Sequence, residues 1–319
     1  MGLSLVTSLF RSEAHLPTYA RHVLQVAERL RQASVPLEVV IVANDASSRE
    51  RALVADLAVA AREARTAHVV ASFVERETLY ASWNRGVRAA SGACVGFWNV
   101  DDVRTAEALI EGHRLIARGS AVAYFPFFLL RARRLLGGLQ LRQPIRCPAP
   151  PFDRTRFRAR MPTTAFFLFA RPLYQRVGPF DERFRILGDF EWCVRASYAV
   201  DFTPGTTVAG FFLRHGANLS GIGDPLQPVE ANVVHLRHGA WDNLRPVHGE
   251  LMRAKWRELG DPGQSIPADV EHRLWGGGAG DWRRAWERAH RRERWSAALR
   301  VALRSLLDLP RLRIVRSRG

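Results

Sequence analysis

The chain has 319 residues, 47% of them hydrophobic, which supports a sizeable buried core and excludes a disordered polypeptide. It contains no apolar run of the ~18–20 residues that span a bilayer, no secretory leader ahead of its first strand pattern, and three cysteines (Cys94, Cys147, Cys193) without C-x-x-C spacing, so it is expected to be cytoplasmic, without a disulfide framework or zinc cluster. The net charge of +16 is carried almost wholly by arginine, Lys255 being the single lysine, and such a charge attracts anionic lipid surfaces or nucleic acid.

Residues 3–8 form an apolar strand pattern, followed by a helical pattern from about His15 to Arg31. Leu37 to Ala43 is a near-continuous apolar run of the kind buried in a parallel sheet. Ser47 or Ser48 can cap the next helix. His68 to Phe73 is a third strand, Thr78 to Ala90 a helix with Gly92 just past its end, and Ala93 to Trp98 a fourth strand running into Asn99-Val100-Asp101-Asp102. This alternation implies a doubly wound, mostly parallel α/β sheet, whose ligands sit at the carboxyl ends of the strands. Residues 131–160, rich in Arg and Pro, read as a loop or flap. Thr163 to Ala170 returns to strand, Gly188 to Tyr198 is helical, 206–213 is another strand, and the chain is mostly helical after about 225. The expected organisation is a domain over 1–225, divided at 1–104 and 105–225, then a basic helical extension over 226–319.

Carboxylates at a strand end pack poorly but supply the hard oxygen ligands that Mg²⁺ or Mn²⁺ requires. A cation there, completed by a diphosphate and water, would offset negative charge on a leaving diphosphate. The alternative reading is that Asp101 and Asp102 cap the helix beginning near Thr105.

The wider pattern resembles glycosyltransferase family 2. Trp83-Asn84-Arg85-Gly86, Ala89-Ala90-Ser91-Gly92, a strand and Asn99-Val100-Asp101-Asp102 resemble its central block. Val39 to Ser47 is similar to its second strand and following turn, and Leu5-Val6-Thr7 with Glu13 to its first strand and loop. Val177 to Glu182, Gly188-Asp189-Phe190-Glu191-Trp192 and Arg195 resemble its acceptor-side block; Leu213 to Ser220 resembles its His-containing closing stretch. The resemblance spans residues 3–220. It implies a GT-A fold and metal-assisted, inverting transfer from a nucleotide-diphosphate sugar to a hydroxyl of a glycan or lipid-linked acceptor. It places Thr7, Glu13, Asp45, Asn84, Arg85 and Asn99 around the donor. Asp101, Asp102 and His215 would face a divalent cation, Mn or Mg. Asp189 is the expected general base with Glu191 in reserve, and Trp192 could stack on an acceptor sugar. Departures stand at Asn99, Asn44, Ala46 and Gly188, where the family usually has Asp, Asp, Gly and Glu. The other reading of Asp189 is a helix N-cap; for Trp192 it is core packing, and for Arg85 exposed helix polarity.

Residues 281–319 hold 12 Arg against four acids, a net +8. Trp295, Leu299, Leu303 and Leu306 fall on one helical face, which suits the surface of an anionic membrane, or packing on the catalytic domain. The protein is therefore expected in the cytoplasm, with peripheral association at the inner face of the plasma membrane. A sugar-nucleotide pyrophosphorylase would need a Gly-rich loop after the first strand, and Leu9-Phe10-Arg11-Ser12-Glu13 has no glycine. The competing class is a non-catalytic, basic nucleic-acid- or membrane-binding protein on a degenerate GT-A fold; the dispersed arginines outside the tail argue against a nucleic-acid partner.

Overall fold

The computed structural model describes residues 2–135, 138–141, 143–160, 165–214, 224–245, 247, 249–261, 263, 264, 266 and 270. In chain order the elements are β1 (Leu3–Leu9), α1 (Leu16–Gln32), β2 (Leu37–Asn44), α2 (Ser48–Glu63), β3 (His68–Val74), α3 (Leu79–Ala89), β4 (Cys94–Phe97), β5 (Val103–Arg104), α4 (Ala106–Ala117) and β6 (Val122–Tyr124). They continue with β7 (Phe127–Leu135), β8 (Gly138–Leu141), β9 (Ile145–Cys147), α5 (Arg154–Ala159), β10 (Phe167–Ala170), α6 (Arg171–Val177), α7 (Gly188–Ala199), β11 (Phe202–Pro204), β12 (Gly210–Arg214), α8 (Leu226–Arg237) and α9 (Gly249–Leu259).

The central sheet has seven strands in the order β11-β6-β10-β4-β1-β2-β3. Only β10 runs antiparallel to its neighbours. β2 is buried at every position, as expected for a strand covered on both faces by helices. The two faces form separate apolar clusters. One gathers Val6, Trp83, Phe97, Phe180 and Trp192 on the α3 and α7 side; the other gathers Leu5, Tyr19, Trp98 and Leu109 on the α1 and α4 side. Gly86 lets α3 lie directly on β1: a Cβ there would overlap the Val6 side chain. Ser47 caps α2 in a reciprocal capping box with Glu50, as its sequence position foretold.

A second, smaller sheet orders β5-β12-β7-β8, with β9 also paired to β7. The expected flap over 131–160 is therefore largely built: it contains the end of β7, then β8, β9 and α5. The strand expected over 206–213 corresponds to β12 in the small sheet, and β11, just before it, adds an edge strand to the large one.

The boundary expected at residue 225 does not separate two packing units. Val229, Val233, Val234 and Leu236 of α8, with Met252 and Leu259 of α9, belong to the same apolar cluster as Phe97 and Trp192. No described helix is long and apolar enough to cross a membrane. The tail pattern from Trp282 to Leu306 lies outside the described residues.

Candidate active site

Parallel strands β1, β2, β3 and β4 present their carboxyl ends along one edge, and the polar residues of interest follow those ends. At the close of β2, Asn44 is buried and ties the edge together. Its amide donates to the Leu9 carbonyl (3.2 Å) and the Ser82 hydroxyl (3.0 Å), and its carbonyl accepts from the Glu77 backbone N–H (2.9 Å). Asn supplies both donor and acceptor here, which the usual Asp cannot. Asp45 follows in the left-handed region (φ 44°), a conformation Asp tolerates better than most residues. It is exposed, and its Oδ1 accepts from the Arg76 backbone N–H at 3.0 Å.

Phe10, just past β1, is 37% exposed, with the guanidinium groups of Arg76 and Arg11 at 4.5 Å and 5.2 Å from its ring centroid. An exposed ring flanked by two cations beside Asp45 can offer a planar base a stacking surface and a phosphate its counter-charge. Sequence reading passed over Phe10, Arg11 and Arg76; a large aromatic at the polar end of an otherwise core-facing strand was the available signal.

Thr7 and Glu13 serve the frame. Thr7 is fully buried, donates to the Trp98 carbonyl (2.9 Å) and therefore accepts from the Tyr19 hydroxyl (2.6 Å), so its side chain does not reach a donor. Glu13 accepts from the Ser47 hydroxyl at 2.5 Å and braces the α2 cap. Arg85 is exposed and held by both oxygens of Glu77 (3.1 and 2.9 Å).

Asn84 is a correction. Its amide donates to the Phe180 carbonyl (2.9 Å) and Glu182 (2.8 Å), and its carbonyl accepts from the Tyr174 hydroxyl (2.8 Å) and the Phe180 N–H (2.9 Å). Every hydrogen-bonding position of the side chain is filled internally, so it fastens the 174–182 segment to α3 and has none left for the expected nucleotide sugar.

Beyond β4, Asn99 donates to Asp102 Oδ2 (3.0 Å), and Asp102 Oδ1 accepts from the Leu213 N–H (3.2 Å). Burial, then the neighbouring Asp101 charge, raises the Asp102 carboxyl far above the usual carboxylate range; Asn99 and Arg104 oppose the shift. Asp101 is half-buried. Neither aspartate caps α4, because β5 intervenes and Thr105 is the N-cap residue. Two adjacent acids, one kept from ionising first by burial and then by its neighbour's charge, suit a divalent cation, whose charge would let both ionise. Among the described residues no group of three or more His, Cys, Asp or Glu side chains could hold a cation by itself. A cation here would take oxygen from Asp101, with Asp102 behind it and its remaining ligands from a diphosphate and water. His215 lies outside the described residues.

Asp189 reaches the same edge from the other side. α3 begins there, since it follows β3, and Tyr80 in its first turn donates to the Ile186 carbonyl (2.7 Å) and contacts Asp189 Oδ1 (3.2 Å). One turn on, Trp83 stacks on Phe97, the last residue of β4, with centroids 3.7 Å apart, and it also packs edge-on against Tyr80 (5.4 Å). A continuous line of contacts thus joins Asp189 to the strand that ends in the acidic quartet. Burial raises the Asp189 carboxyl to about 6, against the pull of the Phe190 N–H and Tyr80. The N-cap of α7 is Leu187, so Asp189 is not the cap. Gly188 makes room for Tyr80: a Cβ there would lie 2.7 Å from its ring and displace the hydroxyl beside Asp189.

Glu191 and Trp192 are also corrections. Glu191 is buried and bound by both nitrogens of the Arg195 fork (2.8 and 2.9 Å), with Arg237 at 3.6 Å. Burial alone would raise its carboxyl, but His238, Arg195 and Arg237 hold it below its ordinary range, the environment of an ion pair and not of a base. Trp192 is fully buried, stacks on Phe180 (5.1 Å) and donates to the Gly178 carbonyl (2.9 Å), leaving no face for a sugar.

A groove of about 830 Å³ lies at the opposite edge of the sheet, between the carboxyl ends of α1 and α2, and contains none of these residues. Its rim arginines, Arg31, Arg62 and Arg65, complement the negative ends of those helices.

No family model matches the chain, and no curated protein matches its sequence. Its structure is similar to residues 1–349 of S. aureus TarS in complex with UDP-GlcNAc, with a TM-score of 0.56 and 14% identity over 89% of this chain and 81% of that one. The same fragment in complex with UDP gives 0.54 and 13% over 81% and 72%. A longer S. aureus TarS chain gives 0.55 and 14%, over 89% of this chain but 49% of that one. At these identities the likeness is one of fold: a mixed α/β architecture on a mostly parallel sheet.

Proposed function

We propose that the chain is a glycosyltransferase that takes a sugar from a nucleotide-diphosphate donor and passes it, with inversion, to a hydroxyl of a glycan or lipid-linked acceptor. The observation that carries this reading is that Asp45 follows the end of β2 and Asp101 and Asp102 follow the end of β4, while Asp189, whose proton affinity burial raises to about 6, is joined to β4 through Tyr80 and Trp83. The likeness to a UDP-GlcNAc-bound fold supports it.

In this reading the donor's base stacks on Phe10 beside Asp45, and Arg11 and Arg76 lie toward its phosphates. Asp101, backed by Asp102 and Asn99, would hold Mn²⁺ or Mg²⁺, which supplies charge neutralisation at the diphosphate. Asp189 accepts the proton of the attacking hydroxyl, in a site where burial has brought its proton affinity close to working pH. Orientation of the two substrates comes from the rigid edge itself.

Thermal melting of the full chain with UDP, GDP, ADP, CDP and dTDP, with and without Mn²⁺, tests this. One nucleotide should raise the melting temperature only when Mn²⁺ is present, by about 2.7 kcal/mol of stabilisation at 100 times its dissociation constant. Asp101→Ala should abolish that shift. A rise with none of the five would sink the reading.

A further inference from the structure

Helix α8 falls in the stretch that sequence reading assigned to an accessory extension, yet it carries a fully buried carboxylate, Glu230. Its oxygens accept three consecutive backbone N–H groups: Arg185 (2.8 Å), Ile186 (2.8 Å) and Leu187 (2.9 Å). These are the last peptides before α7, which begins at Gly188 and carries Asp189 in its first turn. Among the described residues Glu230 makes no ion pair within 4 Å; Lys255 of α9 acts on it only from a distance and pairs with Glu258 (2.6 Å).

The peptide unit between Ile186 and Leu187 is held at both ends. Its carbonyl accepts from Tyr80 of α3, whose hydroxyl also contacts Asp189, and its N–H donates to Glu230 of α8. The carboxyl end of the same helix adds a second tie: Arg237 pairs with Asp181 (2.9 Å) and approaches Glu191 (3.6 Å), on either side of this turn. A buried carboxylate is a costly way to fill space, and an apolar side chain would pack there more cheaply. What it provides is a fixed acceptor for three donors that no single neutral side chain satisfies.

We propose that Glu230 is the positioning residue for Asp189: it locks the 185–187 turn against α8, so that the acid projects from a fixed helix start toward the carboxyl edge. This rests on reading Asp189 as the base. Several titratable groups surround that carboxyl. Tyr80 faces it from α3, Glu230 from α8 and Cys193 from α7 itself, while His235 of α8 packs on the adjacent Phe190. Glu191, next but one along α7, is turned to Arg195 and Arg237. The Glu230 charge adds to burial in raising the Asp189 proton affinity, so its removal lowers that affinity.

The test uses the full chain as wild type, Glu230→Gln, Glu230→Asp and Asp189→Asn. Hydrogen exchange follows the amides of 185–187, and carbon-13 NMR follows the carboxyl that titrates near 6, assigned by its loss in Asp189→Asn. Glu230→Gln turns an amide donor toward a backbone donor; the three amides should exchange about tenfold faster or more, and the Asp189 titration should move to lower pH. Glu230→Asp keeps the charge but shortens the reach, so exchange should rise while the titration moves less. Packing alone would not move the titration. Unchanged exchange and unchanged titration in a Glu230→Gln chain that melts like wild type overturn the proposal. If Glu230→Gln does not fold, the same two readouts on Glu230→Asp decide it. Nucleotide release from a panel of UDP- and GDP-sugars that is undiminished in Asp189→Asn removes the base, and the proposal with it, a failure visible without any Glu230 variant.

Discussion

All four hydrogen-bonding positions of the Asn84 amide are filled from within the chain, and this decides what its loss would do. Asn84→Ala leaves the buried Phe180 peptide and the Tyr174 hydroxyl without partners, which should cost about 3 kcal/mol in urea unfolding, while a surviving folded fraction keeps its nucleotide affinity. Asp189 behaves oppositely. Its folded proton affinity, about 6, lies above the ordinary 3.8, so the base is ionised and active above that pH and lost below it. Stability runs the other way: the benefit of the buried neutral acid is complete below 3.8 and disappears as pH rises through about 6. Asp189→Asn should therefore stabilise the chain at pH 8 by about 1–2 kcal/mol and change little at pH 4, as thermal melts at the two values would show. In the sequence Asp189 reads as the base with Glu191 in reserve, and Asn84 and Trp192 as further site residues. Nothing local separates them, because whether a polar side chain is already satisfied depends on partners as distant as residue 180 from residue 84.

At the scale of elements, α3 is the strut on which the edge is organised. Gly86 seats it on β1, Asn84 and Tyr80 hold the 180–186 segment, and Trp83 packs on the end of β4. Gly86→Ala overpacks against Val6 and should destabilise the fold by about 1–3 kcal/mol, measurable as a lowered urea midpoint. The alternating strands and helices from β1 to β4 were readable because each buries a run whose period is set locally. The small sheet was not. β5 has two residues, and β12 pairs with it and with β7 across more than 80 positions of sequence, so no local pattern announces either contact. The extension boundary failed for a related reason. The apolar face of α8 looks like any amphipathic helix until its Val229, Val233 and Val234 are seen to complete the core beneath Trp192. A chain ended at residue 225 should lack cooperative unfolding, because it exposes that core.

At the scale of the whole molecule, the two edges of the central sheet differ in chemistry. Phe10, Asp45 and the Asp101–Asp102 pair follow the carboxyl ends of β1, β2 and β4, to which Asp189 is joined through Tyr80 and Trp83; the amino edge collects arginines at helix ends. The order of the strands made the first of these legible, since ligands of such sheets gather at carboxyl ends. Which residues at that edge face outward became visible only with the packing. Release of nucleoside diphosphate from UDP-GlcNAc and related donors, measured with Mn²⁺ from pH 5 to 8, is the most direct test of the account. It predicts a rate that climbs through about pH 6 and falls by about 100-fold or more in Asp189→Asn with the donor KM nearly unchanged. Equal rates for wild type and Asp189→Asn across that range would contradict it.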